Sequence, residues 1–571
     1  MAYRNLDEYL TRLEQAGELT RITTSVSPDL EISVMTDNAA KRPPLQNKAL
    51  WFEQVEGSAF PVVTNLFGTE RRMAWALGAE NLGALEERMA QLVNPLMPQG
   101  LGGMMNRAAE LMSVLRSSGI GVRPATKAEV QEVICDVDLS IFPSIRLWEM
   151  EKTPTLALAQ ILIQINGSRQ TALGRVQILD SQTLGLPAAL LTGYSTSDSK
   201  LPAAVVLGGD PAAMWCASAP LPAGIDAYLL AGWLRKRAVK LAKAISQPLD
   251  IPAEAEFIIE GWVDPTDVRS SGAISSDSGY YVSDSQLVAM HVTAITHRRD
   301  AILPISIPGR PPTDHLWMNK AIERLFMPLL RLLFEEVFDL NLPAAGVSRN
   351  LAIVSIKSHA LGAAQKVMFG LWGMGQLALL KAIIVVDSDV DVQDVNAVAR
   401  RVLQTVDWRQ DIALVNGMLH PEDFTTQVSG FGAKIGIDAT LKLGQSLQPL
   451  SKPPRNADVT DVTSIMGDQW RMFAGFIVSK QGQVPLLETA ATIWDTWPEY
   501  HIVVVDDDLN LDHLSEEAWR ILANINWESD VTVGKSGKVL INATTKDHQW
   551  PAPLTISPQI KPHRKLRKAK G

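Results

Sequence analysis

Apolar residues recur at Leu6, Tyr9, Leu10 and Leu13, the spacing of one helical face, and Gly17 stops the pattern. Residues 4 to 17 therefore read as an amphipathic helix. Ala49 to Phe52 and Phe60 to Asn65 read as short strands joined through Glu56-Gly57. Residues 80 to 118 are helical and Met-rich, with pauses near Gly100 and Gly103; the methionines serve as packing filler or as a partner-binding face. From Pro143 to Ile302 the period shortens. Ala157 to Ile165, Arg175 to Leu179, Ala203 to Leu207 and Ala255 to Ile259 are β-type runs punctuated by Gly, Pro and Ser, which suggests a barrel-like sheet. One helix, about Gly224 to Ala244, interrupts them. Residues 317 to 440 alternate helix and strand: Lys320 to Phe334 with a kink or restart at Pro328, Leu351 to Ile356, Ala360 to Leu380, Ala382 to Val386, Val392 to Val406. That alternation predicts an α/β domain with a largely parallel sheet.

The pattern then repeats. Ile383 to Asp411 is echoed by Ile502 to Asp530, with Asp387/Asp506, Asp389/Asp508, Ala399/Ala518, Trp408/Trp527 and Asp411/Asp530 in register. Leu540 to Lys546, LINATTK, faintly echoes GIDATLK. Two copies are too few for a solenoid, and a duplicated βαβ half-domain is the simpler account. In Asp387-Ser388-Asp389-Val390-Asp391 the glycine and distal glutamate of a calcium loop are missing. These acids are expected to cap the following helix.

The chain has 571 residues and a formal charge of -9. Its length implies several domains. The acidic balance argues against nucleic acid as a partner. Cys135 and Cys216 cannot make a disulfide framework, and their scarcity suits a reducing cytoplasm. Tyr3, Arg4, Asp7 and Glu8 interrupt any signal-peptide run, and no stretch reaches the ~18 apolar residues of a membrane helix.

The stretch Glu260 to Tyr281 reads as a long Gly/Ser/Asp loop after a buried strand, a surface connection or a carrier of chemistry. EGW stands before the loop and GYY at its end, THRRDAI and PGRPP follow it, and AGELTRI, PDLEIS and FPVVTNLFGTERRMAWALG stand near the start, with VVLGGDP, SAPLPAGIDAYLLAGWL and VSGFGAKIGIDAT between and after. In this order, over roughly residues 1 to 442, these stretches resemble the UbiD family of decarboxylases that use prenylated FMN. The resemblance implies a mixed α/β, multidomain fold: an N-terminal α/β segment (1–125), a split β-barrel of flavin-binding type (126–316) and an α/β oligomerisation-type domain (317–444). A linker (445–458), a second copy of the α/β unit (459–552) and a basic tail (553–571) follow.

The resemblance also implies a site. The family's substrate-side arginine falls on Arg175, followed by Gln177. The family's metal-binding Asn, His and Glu are replaced: Gln170 stands for the first, the second has no equivalent in Gly185 to Gly193, and Lys240 stands for the third, in a stretch read as helix. The two catalytic acids become Ser271 and Ser276, with Asp277 beside the latter. A hydroxyl is not an acid near neutral pH, and a protonated lysine cannot ligate a hard cation. No divalent metal is therefore expected. Gly208, Gly209, Ser218, Pro220 and Lys434 match positions near the cofactor phosphate, and Lys240 with Arg237 would add positive charge there or lie on a solvated face. Arg298, Arg299 and Arg310 are either ligand-facing or structural. Two readings stand: a carboxy-lyase acting on an aromatic or unsaturated acid with prenylated FMN, or a non-catalytic subunit that pairs with an active UbiD-like partner. Either is expected to be a homo- or hetero-oligomer, from the Leu- and Phe-rich surface of Leu325 to Phe338.

Overall fold

The structure, a computed structural model, describes residues 3–93, 121–193, 200–222, 224–283, 285–358, 360–447, 462–463, 476–479, 494–495, 498, 501–506, 514–546 and 550–555. They fall into two compact units, one formed by 1–325 with the residues after 551, the other by 326–551.

In the first unit the helix Leu6–Gln15 buries Leu6, Tyr9, Leu10 and Leu13, and Asn5 caps its start by accepting from the Glu8 amide. It accompanies a sheet ordered Leu19–Ile22, Ala49–Phe52, Val62–Thr64, Leu303–Ile305. Residues 94–120, where the Met-rich helix was expected to continue, lie outside the described residues; the helix there is Leu82–Val93.

The centre of this unit is a closed six-stranded antiparallel barrel. Phe257–Ser270 pairs with Leu201–Leu207, which pairs with Thr155–Ile165. Ser168–Ile178, Thr183–Pro187 and Gln286–His297 follow, and the last pairs back onto Phe257–Ser270. The interior is a continuous apolar cluster that includes Ile161, Val176, Leu184, Val205, Ile259 and Met290. Two expectations are corrected here. The polar run after Glu260 is strand as far as Ser270, because register shifts at Glu260/Gly261 and between Asp264 and Val268 let it stay paired. Gly261 is required at the first shift, since a Cβ there would lie 2.2 Å from the His291 carbonyl oxygen. The helix expected to reach Ala244 is only Ala227–Leu234. Lys236 turns back with φ 52, and Val239–Lys243 is a strand between Asp250–Pro252 and Val122–Pro124.

The second unit holds two five-stranded sheets of the same plan. One is ordered Val337–Asn341, Leu351–Ile356, Ala382–Asp387, Phe431–Asp438, Ile412–Met418. The other is ordered Val462–Thr463, Phe476–Ser479, Ile502–Asp506, Val539–Asn542, Val531–Val533. In each, the edge pairs are antiparallel and the two central pairs parallel. Asp438 Oδ1 accepts from the Thr440 amide and hydroxyl, and Asn542 Oδ1 accepts from those of Thr544. Lys442 pairs with Asp411 at 3.1 Å and Lys546 with Asp530 at 2.9 Å. One core joins the halves, with Ile353, Val386, Trp408 and Ile435 against Val503, Val505, Trp527 and Ile541. The contacts are reciprocal. The Trp408 amide donates to the Gly537 carbonyl in the second half's hairpin, and Asn526 Nδ2 donates to the Thr425 carbonyl beside the first half's hairpin. That is the pattern of an internal two-fold relation.

Asp387 and Asp389 do not cap the following helix. They hold Arg401 from within it, at 2.5 and 2.6 Å, while Asp394 caps Val395–Thr405. No helix among the described residues is long and apolar enough to cross a membrane.

Candidate functional site

The strand Leu201–Leu207 leaves the barrel through Gly208 and Gly209, at φ +72 and +104, conformations that only glycine adopts without strain. Asp210 follows and caps Pro211–Cys216 by accepting from the Ala213 amide. Gln160 Nε2 donates to the Gly208 carbonyl, and the Tyr228 hydroxyl donates to Gln160 Oε1 at 3.1 Å. Beneath this turn lies a buried charge chain. Arg235 stands 3.3 Å from Asp210 and 3.6 Å from Glu254, and Glu254 is 2.6 Å from the Lys240 ammonium. The cavity these groups line measures about 10 Å³, space for roughly one water. Burial pushes Asp210 up to about 6 against the pull of Arg235 and two amides. On the far side of Gly208, burial pushes Glu256 up to about 7, opposed by Arg298 at 3.1 Å and the Ile302 amide. Arg298 is thus structural; Arg235, Glu254 and Glu256 carry no local signature in the sequence.

The second cluster is the loop after Ser270. Ile274–Ser275 and Tyr281–Val282 form a two-residue hairpin. Arg175, on Ser168–Ile178, donates to the Ser275 carbonyl. The buried Glu151 carboxylate accepts from the Ser275 amide at 2.6 Å, its hydroxyl at 2.5 Å and the Leu147 amide at 3.2 Å. Gln177 Nε2 donates to the Ser271 carbonyl, and the Ser271 hydroxyl donates to Gly272. Ser276 accepts from the Ser278 amide. Asp277 Oδ2 lies 3.4 Å from His315 Nδ1, and its Oδ1 is buried without a hydrogen-bond partner among the described residues. The structure thus brings Arg175, Gln177, Ser271, Ser276 and Asp277 together. It adds Glu151 and His315, which sequence reasoning missed because they sit 124 residues before Ser275 and 38 after Asp277 with no local signal.

The other expected positions are scattered. Gln170 donates to Ser168 Oγ at 3.5 Å, and Ser218 donates to the Trp215 carbonyl. Pro220 lies half-buried in the turn after that helix. Lys240 is on a strand rather than a helix, with its ammonium 2.6 Å from the Glu254 carboxylate. Lys434, in the other unit, donates to the carbonyls of Ala378 and Met418, and burial pushes it down to about 8.

A hard divalent cation needs converging oxygen donors. Lys240, Gln170 and an already paired Glu254 do not supply them. Among the described residues no three His, Cys, Asp or Glu side chains gather where an ion could be held. A flavin fits better. Alternation places Thr171, Arg175 and Gln177 on one face of their strand, and Thr171 Oγ1 and Gln177 Oε1 are buried there without hydrogen-bond partners among the described residues.

Residues 122–311 match the 3-octaprenyl-4-hydroxybenzoate carboxy-lyase Rift-related domain, UbiD. Residues 10–92 match the N-terminal domain of the same carboxy-lyase, and 316–439 with 451–550 its C-terminal domain. A protein from Archaeoglobus fulgidus is 34% identical over 453 residues, 77% of this chain and 92% of that one. The UbiD-class enzyme HmfF from Pelotomaculum thermopropionicum, solved in complex with FMN, is 25% identical with a TM-score of 0.65, covering 79% of this chain and 97% of its own. An evolved dimeric form of that enzyme with prFMN is 24% identical with a TM-score of 0.63, covering 80% and 97%.

Proposed function

This chain belongs to the UbiD family of carboxy-lyases, and from that membership we propose that it exchanges carbon dioxide for a proton on an aromatic or α,β-unsaturated acid. The observation that carries the reading is Arg175. No carboxylate among the described residues pairs with it, so its partly buried charge is available to a substrate carboxylate beside Gln177. Thr171 and Gln177 would hold a flavin against this face. Prenylated FMN, when bound, supplies a sink for the electron pair left as the carbon–carboxylate bond breaks. The chain's own residues must then return a proton to that carbon. Ser271 and Ser276 cannot, and Asp277 is the acid beside them on the same loop, with His315 of the helix Asp314–Leu333 at 3.4 Å. No metal enters this account, because the donor set does not fit one.

A second reading, a non-catalytic subunit paired with an active relative, draws on the same two serines. Absorption and mass of the ligand in protein co-expressed with a flavin prenyltransferase separate the two. A prenylated flavin is expected, and its absence would favour the subunit. With the flavin loaded and Mn²⁺ supplied, little or no decarboxylation of simple hydroxybenzoates or cinnamate-type acids is expected, because serines stand where the family has its acids and Asp277 alone on this loop is left to return the proton, so the reaction should be slow on such generic substrates. Robust manganese-dependent turnover would overturn the assignment of the site.

A further inference from the structure

The chain returns to the first unit at its end. The Tyr281 amide donates to the Ala552 carbonyl at 3.0 Å, and the Leu554 amide donates to the Gly279 carbonyl at 2.8 Å. Tyr280 and Pro553 face each other as an antiparallel bridge. Residues 552–554 therefore run alongside the Ile274–Ser275/Tyr281–Val282 hairpin. Leu554 packs on the barrel core together with Ala273 of the loop. Thr555 reaches a small cavity lined by Leu30, Val34, Leu147 and Trp148. Residues 553–555, the start of the stretch expected as a basic tail, are docked here; residues 556–571, with its lysines and arginines, lie outside the described residues.

A hairpin of two-residue strands is too short to hold itself in water. Within it, the Ser276 amide donates to Tyr280 and the Gly279 amide to Ser276. One side of this loop is gripped by the barrel, through Glu151 and Arg175 on Ser275 and through the Tyr281 hydroxyl, which accepts from the Met150 amide at 3.3 Å. The other side is gripped by the chain's own last described residues. Ser276 and Asp277 lie between the two grips.

We infer that residues 552–554 are a positioning strap, which fixes the loop from Ser275 to Tyr281 and so holds Asp277 beside His315. The strap's link to catalysis rests on the proposed function; its link to loop order does not. Two variants of the full chain test it. Leu554→Pro deletes the amide that bonds Gly279 while leaving the chain length unchanged, and Leu554→Asp removes the apolar seat. Deuterium exchange at the amides of Ser276, Gly279 and Tyr281 should quicken roughly tenfold or more in both. The barrel strand Thr155–Ile165 should exchange as before, and Leu554→Met should restore slow exchange. FMN titration by fluorescence should show weaker binding in the two disruptive variants and wild-type binding in Leu554→Met. Wild-type exchange at these three amides in either disruptive variant overturns the strap. If no variant, nor the wild type, binds FMN, the flavin reading fails while the exchange result still decides the strap.

Discussion

Replacing Glu256 with glutamine should flatten a pH dependence of stability that the unaltered chain shows around neutrality. The side chain is 1% exposed. Burial drives its carboxyl up to about 7, with Arg298 and the Ile302 amide pulling the other way, against the usual 4.5. Between those two values the folded chain binds a proton that the unfolded chain does not. Stability therefore falls as pH rises through that window, and this group favours the fold most below the lower value. At about 1.36 kcal/mol per pH unit, the separation is worth roughly 3 kcal/mol. Asp210, raised to about 6 by burial, adds a slope of the same sign that the substitution leaves in place. Glutamine keeps the shape and still accepts from the Ile302 amide, but it cannot titrate. Denaturant unfolding of both proteins at about pH 5, 6, 7 and 8 measures the effect. From the lowest pH to the highest, the stability of the unaltered chain relative to the variant should fall by roughly 2–3 kcal/mol. Parallel profiles would mean that Glu256 is ionised throughout, and that Arg298 outweighs its burial.

Gly208→Ala should cost roughly 1–3 kcal/mol or more, since the new Cβ would fall 2.4 Å from Glu256 Cγ at a positive φ, whereas Gly17→Ala, equally positive but open within 4 Å, should cost about 1 kcal/mol or less on thermal melting. Lys381→Met should cost roughly 3–5 kcal/mol, because it strands Asp423, its partner at 2.7 Å, with both side chains at most 5% exposed. Arg409→Ala, which breaks a surface pair with Asp407, should cost under about 1 kcal/mol by urea unfolding. The chain should self-associate or take a partner: Leu333 and Phe338, at the end of the Asp314–Leu333 helix and just beyond it, are 57% and 40% exposed, and a monomer mass by light scattering at micromolar concentration would refute this.

Where one element buries one face, the sequence reveals it. Leu6, Tyr9, Leu10 and Leu13 mark a helix that packs on one side only, and Leu351–Ile356 is an apolar run between turns whose predicted bounds match the strand. Val239–Lys243 reads as helix although Val239 and Leu241 alternate with lysine and alanine; the apolar Ala227–Leu234 run before it hides the change of period. Asp264 to Ser270 looks like loop because it is polar. It stays strand because backbone pairing to Gln286–His297 does not depend on side-chain type. The arginine and both serines of the site are legible by their order along the chain. Glu151 and His315 are not, because tertiary packing brings them to the loop, Glu151 from just before the first barrel strand and His315 from the helix after the barrel.

The two facing halves of the second unit have a consequence for how such a chain diversifies. Identical subunits that meet across a two-fold axis must accept every substitution on both sides at once. Here each side is written separately, so a residue on one can drift while its counterpart stays. Asp438 and Asn542 are such a pair, one charged and one neutral, each still holding its threonine. The pairing also escapes dilution: tethering sets an effective concentration on the order of millimolar whatever the amount of protein in the cell.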